Sequence, residues 1–288
     1  MIAILSDIHS NLHALDAVFN DMPEVSQIWL LGDSLGGFKY PCEVLDRLIE
    51  SDVPVYSVIG NHEQSIIDEK YGKHPDWRMG TQFGTMVWTA DRLKPYHWEY
   101  IEGLETALTV ENISGNALLF HGTPDNLRGR IFTGDEAHQI TTDRTEIIFT
   151  CGHTHQARMF KAGGQIVINP GSVGVALDGI GGVASYALLD DCKADPSGKV
   201  IFRTISYDLD GAIESVMKSE LMECASGITR AIISEIMTGR FFVMSLVIFA
   251  FDLAEKHLGF RPDIVPPEIW TEAETKWDGS EWLPGRSQ

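Results

Sequence analysis

Ile2-Ala3-Ile4-Leu5-Ser6-Asp7-Ile8-His9-Ser10-Asn11 is an apolar run that ends in two side chains of metal-ligand type, Asp7 and His9. Four such residues, rich in Ile, suit a strand covered on both faces. The polar residues after it then stand at the strand's carboxyl end, the edge at which open α/β sheets bind ligands. The pattern repeats along the chain. Ile28 to Leu31 runs into Gly32 and Asp33, and Val55 to Ile59 into Gly60, Asn61 and His62. Ala117 to Phe120 runs into His121 and Gly122. Ile147 to Thr150 leads through Cys151 and Gly152 to His153 and His155. Stretches of helical character, 12–20 and 41–51, lie between. Strand then helix, repeated, reads as α/β.

Further on, Gln165 to Ile168, Ala184 to Leu189 and Val200 to Tyr207 follow one another without long helices, and Asp195-Pro196-Ser197-Gly198 is a turn. These runs predict a second sheet with antiparallel pairing, packed on the first. After Asp210 the spacing is helical, at Ile213, Val216 and Met217 and at Ile228, Ile232 and Ile236, with Gly239 as a stop. Phe241 to Phe251 is apolar except for Ser245. It is too short for a membrane span, which needs ~20 apolar residues, so it reads as a buried helix or an oligomer interface. From Arg261 the chain reads as irregular. The division expected is a catalytic domain over 1–240 and a C-terminal extension over 241–288. Trp270, Trp277 and Trp282 would cover the core, meet a second subunit or line a pocket.

A single His at a strand end is ordinarily structural. Five strand ends with ligand-type residues beside glycines point instead to a metal site built from Asp7, His9, Asp33, Asn61, His121, His153 and His155. Imidazole with carboxylate and amide oxygen suits Mn, Fe, Zn, Co or Ni. Calcium prefers oxygen alone, and four histidines fit a magnesium-only site poorly. Seven ligands exceed one tetrahedral site, so two divalent ions are expected, about 3.5–4 Å apart as in other two-metal centres. A bridging carboxylate would screen their repulsion. Cys151 reads as a small buried apolar residue.

The blocks Asp7-Ile8-His9, Gly32-Asp33, Gly60-Asn61-His62-Glu63, His121-Gly122 and Gly152-His153-Thr154-His155 resemble the calcineurin-like metallophosphoesterase superfamily, in its order. Asn169-Pro170-Gly171-Ser172-Val173-Gly174, Asp178-Gly179 and Ala184 to Leu189 are similar to later strands of its small bacterial and archaeal phosphodiesterase-like branch, and Phe202 to Asp208 to the final strand. The resemblance covers about residues 1–240. It implies two packed mixed β-sheets flanked by helices, a four-layer α/β/β/α sandwich, here with a C-terminal helical extension. It implies one metal on Asp7, His9, Asp33 and His155, and a second on Asp33, Asn61, His121 and His153, with Asp33 bridging. His62 would stand beside the metals as the catalytic neighbour, bonded to the phosphoryl group or protonating the leaving oxygen; orienting a ligand is the alternative. The implied reaction is phosphodiester or phosphomonoester hydrolysis by a metal-activated water or hydroxide. Glu63 stands where this branch more often has Asp. The protein phosphatases of the superfamily have Asp-Arg after their Gly-Asp block, whereas here the sequence is Gly32-Asp33-Ser34-Leu35-Gly36-Gly37; the missing phosphate-clamping Arg argues against protein phosphatase activity.

Asn11 is placed either to offer its amide to substrate or to cap a turn. Arg128 and Arg130, past His121-Gly122-Thr123-Pro124, suit a second phosphate or carboxylate, or a solvated loop. His13, His74, His97, His138 and His257 fit no motif and read as surface or packing residues. The formal net charge of −19 argues against sequence-independent nucleic-acid binding, which needs Lys and Arg, and against an anionic membrane. It leaves room for a small phosphorylated substrate, since bound cations supply local positive charge. Four cysteines without a CxxC pair read as reduced thiols, and the start has no basic n-region, so a cytoplasmic location is expected. A non-catalytic, metal-stabilised module that assembles through the extension is the competing expectation, and a homo-oligomer formed through that extension is the partner expected.

Overall fold

The computed structural model describes residues 1–79, 82–111, 115–190 and 200–278. Two mixed five-stranded sheets form its centre. In the first, β1 (Ile2–Leu5), β2 (Gln27–Leu30) and β3 (Val55–Ser57) run parallel. Beyond β1 lie β9 (Val183–Leu189) and β10 (Val200–Ser206), each antiparallel to its neighbour. In the second, β5 (Ala117–Phe120), β6 (Ile148–Thr150) and β8 (Gln165–Pro170) run parallel. Antiparallel β4 (Ala107–Val110) and β7 (Ala157–Ala162) form its edges.

Alternation along each strand sorts the side chains into layers. Ile2 and Ile4 point between the sheets, where they meet Trp29, Leu119, Ile148 and Ile168. Ala3 and Leu5 point the other way, into a layer with Leu15 and Val18 of α1 (Leu12–Asp21) and Val44 of α2 (Pro41–Ile49). The outer face of the second sheet, with Phe120, Phe149 and Val167, is covered by Ala137 of α6 (Gly134–Thr141). The result is the four-layer sandwich. Between the sheets in sequence, α3 (Asn61–Lys70), α4 (Gly84–Ala90) and α5 (Pro95–Glu102) pack around Leu35, Ile66 and Met86.

The partition of strands differs from the sequence expectation. The late runs do not make a sheet of their own. β9 and β10 extend the first sheet from its β1 edge, and β8 joins β5 and β6 in the second. Apolar runs report burial but not the partner across a ladder, and the two are independent. The Asp195–Gly198 turn lies outside the described residues.

The chain then forms α7 (Leu209–Met217), α8 (Leu221–Cys224), α9 (Ser226–Thr238), α10 (Val243–Leu258) and α11 (Pro267–Lys276). Gly239 ends α9 with φ +68, a conformation that Gly adopts without penalty. The stretch after Arg261 is thus not all irregular. Pro266 and Pro267 start a helix, as Pro does at a first turn, and its Ile269, Trp270 and Ala273 are buried. The Trp270 indole donates to Glu274 Oε1 at 2.7 Å, which also accepts the Gly227 N–H at 2.9 Å, tying α11 to α9. Trp277 donates to Ser245 at 3.1 Å. Both indoles cover the core; Trp282 lies outside the described residues. This helical layer shares one apolar cluster with Phe38, Val175 and Leu177 from the loops after β2 and β8. Among the described residues, no helix is long and apolar enough to cross a membrane.

Candidate metal centre

The seven residues read from the sequence meet at one place. Asp7 follows β1, Asp33 follows β2 and Asn61 opens α3 after β3; His121 follows β5, and His153 and His155 follow β6. The centre therefore sits where the carboxyl ends of both sheets converge.

Three overlapping groups have possible ligand atoms within 4.8 Å of one another: Asp7, His9 and His155; His9, Asp33 and His62; Asp33, His121 and His153. Asp33 belongs to two of them. Asn61 joins the third group, its Oδ1 lying 3.1 Å from His121 Nε2. His121 Nε2 is 3.3 Å from Asp33 Oδ2, and His155 Nε2 is 3.3 Å from Asp7 Oδ1. His62 stands closer in than a mere neighbour, with Nε2 3.8 Å from Asp33 Oδ2 and its ring 4.6 Å from that of His9.

Backbone carbonyls set the imidazole tautomers. Nδ1–H of His9 donates to Gly36 O at 3.1 Å, that of His121 to Leu31 O at 2.7 Å and that of His155 to Val175 O at 2.8 Å. Whenever such a ring is neutral, this bond leaves the lone pair of Nε2 facing the site, the arrangement of a metal-ligating His. His9 Nε2 and His155 Nε2 face each other at 3.0 Å. Asp7 Oδ1 is buried beside them without a hydrogen-bond donor. Two ring nitrogens and a carboxylate oxygen converging on one point share a proton or a metal cation between them, so this donor set fits a metal ion.

The electrostatics agree. Burial raises the pKa of Asp7, but His155 and His121 outweigh it and bring it to about 2. Burial likewise opposes the charged form of Asp33, yet His121 and His62 hold its carboxyl well below the usual range. Burial lowers His121, but Asp33 and Asp7 overcome it and push that imidazole up to about 10. His9, desolvated and next to His62 and His155, drops to about 3. His153, desolvated and beside His121, drops to about 4. Two buried carboxylates thus impose a field that draws positive charge into the pocket.

The loops that carry these groups are strained. Asp7, His9, Asp33, His153 and His155 all have φ between +52 and +65, a region that costs a non-Gly residue about 1–2 kcal/mol. Such outliers persist where surroundings over-determine them. Glu63 is one brace, buried and accepting the N–H groups of Asp33 (2.8 Å), Leu35 (2.9 Å) and Gly60 (3.0 Å). It starts α3 and clamps it to the loop after β2. Asn169 Nδ2 donates to Gly152 O at 2.7 Å and Thr154 Oγ1 at 3.0 Å; Ser172 Oγ donates to Asp7 O at 2.7 Å. All three braces lie in the motif blocks quoted above, but a motif does not say which backbone groups a side chain holds. Glycines give the needed clearance. A Cβ on Gly152 would lie 1.9 Å from Ser6 Oγ.

Of the two readings for Asn11, the structure supports the cap and not the substrate contact. Asn11 is buried, its Nδ2 donates to Gly174 O at 2.9 Å and its Oδ1 accepts from Ala14 N at 3.2 Å, so it caps α1 and has no amide to offer a substrate. Arg128 lines a cavity that also borders Asn61. Arg130 is exposed and does not line it. Burial pushes the Cys151 thiol up to about 12, consistent with an apolar role.

The calcineurin-like phosphoesterase superfamily domain model matches residues 1–193, and the chain belongs to that family. An uncharacterized protein of Methanocaldococcus jannaschii is 29% identical over 248 residues, which cover 77% of this chain and 94% of that one. The crystal structure of a metallophosphoesterase from Sphaerobacter thermophilus aligns with a TM-score of 0.63 at 25% identity, over 83% of this chain and 99% of that one. A hypothetical protein from Pyrococcus horikoshii shares the fold, with a TM-score of 0.67 at 19% identity, over 84% of this chain and 100% of that one.

Proposed function

We propose that the chain is a dimetal-dependent phosphoesterase acting on a small phosphorylated substrate. The observation that carries this reading is Asp33, a buried carboxylate common to two groups of candidate ligands, one reaching His9 and the other His121 and His153. Asp7, His9, Asp33 and His155 hold one ion, and Asp33, Asn61, His121 and His153 hold the other. Mn, Fe, Zn, Co and Ni all suit these donors. When bound, such ions lower the pKa of water and neutralise charge on phosphoryl oxygens.

The protein's own groups do the rest. The carbonyls of Gly36, Leu31 and Val175 keep three imidazoles turned inward. In hydrolysis, the water oxygen bonds to phosphorus and gives up a proton, the bond to the leaving oxygen breaks, and that oxygen takes a proton. The His62 side chain, 25% exposed, is reachable from outside. Desolvation lowers its pKa below the ordinary imidazole value, against the pull of Asp33. His62 therefore rests unprotonated near pH 7, and it serves as general acid once it has taken up a proton, for which the proton released by the attacking water is the source.

Elemental analysis with paired assays on mono-aryl and bis-aryl phosphates tests this. The expectation is two ions per chain, and for Asp33→Asn a loss of metal together with at least a hundred-fold fall in turnover. Wild-type metal content and turnover in Asp33→Asn would refute the assignment.

A further inference from the structure

Beside the centre lies a cavity of about 400 Å³ that shares Asn61 with it, a size typical of small-molecule sites. It runs along one face of α3, because Asn61, Ser65 and Asp68 lie one and two turns apart there. Asp68 is therefore about 10 Å from the metal end. Arg128 lines the Asn61 end, its guanidinium 3.4 Å from Ser65 Oγ. Asp263, from the segment between α10 and α11, lines the cavity as well.

Three rings form part of the wall. His74 stacks on Trp77 with centroids 4.4 Å apart and planes 13° apart, and Trp77 stacks on Phe83 at 3.9 Å and 15°. Trp77 is buried in the middle, whereas His74 and Phe83 are half-buried. The end rings thus offer a preformed stacking surface. The charges are graded. The metal end and Arg128 favour an anion, while at the far end Asp68, whose Oδ1 already accepts from Lys73 (2.7 Å) and Gln64 (3.0 Å), keeps Oδ2 for an N–H or O–H group, and the exposed carboxylate of Asp263 can accept one as well.

We propose that this cavity is the leaving-group subsite and that it takes a planar heteroaromatic ring with N–H donors, so that the substrates are nucleoside phosphoesters with one phosphate. The inference rests on the phosphoesterase reading. It also gives the C-terminal extension a part in substrate selection through Asp263. Stacking on a protein ring strengthens base binding roughly ten-fold or more, and an N–H accepted by the half-buried Asp68 carboxylate adds to it.

The test uses the full chain loaded with manganese. kcat/KM is measured for adenosine 5′-monophosphate and for glycerol phosphate, and for the methyl diester of each. The expectation is a preference for the adenosine ester of at least about ten-fold in whichever ester class turns over, collapsing toward parity in His74→Ala and in Phe83→Leu. Two variants guard against one that fails to fold, which circular dichroism reports. Parity in the wild type, or an undiminished preference in both folded variants, overturns the subsite but leaves the phosphoesterase reading intact. If no ester is hydrolysed, that reading fails, and equilibrium dialysis judges the subsite by itself. Adenosine 5′-monophosphate retained about ten-fold more tightly than glycerol phosphate supports it; equal retention overturns it.

Discussion

Gly60→Ala tests whether the centre depends on clearance and not only on ligands. Gly60 has φ −99 and ψ 176, extended backbone that alanine adopts freely, so any effect is steric. The added Cβ would lie 2.1 Å from Asp33 Oδ1 and 2.3 Å from Asp33 N. Ordinary contact begins at 3.4 Å, so Asp33 must retreat by about 1.3 Å. It cannot do so freely, because its N–H is held by Glu63 Oε2 at 2.8 Å and its Oδ1 accepts the His62 N–H at 2.7 Å. Overpacking costs about 1–3 kcal/mol, and losing two buried hydrogen bonds adds about 1 kcal/mol each, so a loss of about 3–5 kcal/mol is expected. A ligand holds its role only within about 0.5 Å, so metal affinity should fall at least 10–100-fold, as when outer supports of metal sites are removed. Urea denaturation gives the first quantity and metal titration the second. Gly134→Ala, where a Cβ meets nothing within 4 Å, is the control. Wild-type stability and metal affinity in Gly60→Ala would show that the clearance argument is wrong.

Chelation with EDTA should lower the Tm by roughly 10 °C, since a ligand at a thousand times its Kd adds about 4 kcal/mol; a Tm unmoved by EDTA and by manganese readdition counts against a metal centre. Burial places the Glu235 pKa at about 7, above its ordinary 4.5, against the N–H groups of Phe242 and Val243 that it accepts. The folded chain then keeps a proton that the unfolded chain loses, so stability is full below about pH 4.5 and falls as pH rises to about 7, by up to about 3 kcal/mol. Glu235→Gln should flatten that fall in urea midpoints compared at about pH 5 and about pH 8; an unchanged slope refutes it. Trp270→Ala should cost about 3–5 kcal/mol, read by urea denaturation, and a loss below about 1 kcal/mol would mean that α11 contributes little to the helical layer.

What could be read in advance follows from how far each signal reaches. Asp7-Ile8-His9 and Gly152-His153-Thr154-His155 carry their chemistry within a few residues, and apolar runs mark the strands before them. The convergence of five strand ends was therefore visible without coordinates. Which sheet each strand joins was not, because the β1–β9 ladder links residues far apart, Ile2 with Leu189. The ring stack at His74, Trp77 and Phe83 was equally hidden. A His without a motif reads as surface, and only the turn of Pro75–Met79 brings it against Trp77. At Asn11 the sequence left substrate contact and turn capping both open, and the structure decides for the cap, since both ends of its amide are taken by backbone groups.

Why the centre needs so many supports follows from its own energetics. Five left-handed residues at about 1 kcal/mol or more each and two fully desolvated carboxylates are unfavourable by amounts comparable with the stability of a whole domain. Hydrogen bonds from Ser172 and Asn169, and to Glu63, fix the loops but do not remove the repulsion among the facing acceptors at Asp7, His9 and His155. Neutralising either partner by mutation relieves one strain and leaves the other. A cation relieves both, by screening the carboxylates and by turning converging lone pairs from a liability into bonds. On this argument the loops are held in a conformation that only positive charge makes comfortable. Asp33→Asn should then do more than lose a ligand. With half of the negative field gone, the proton that Asp33 and Asp7 hold on His121 should be released at lower pH, an NMR titration shift downward from about 10. A His121 titration that stays put in metal-free Asp33→Asn would mean that the field has another source.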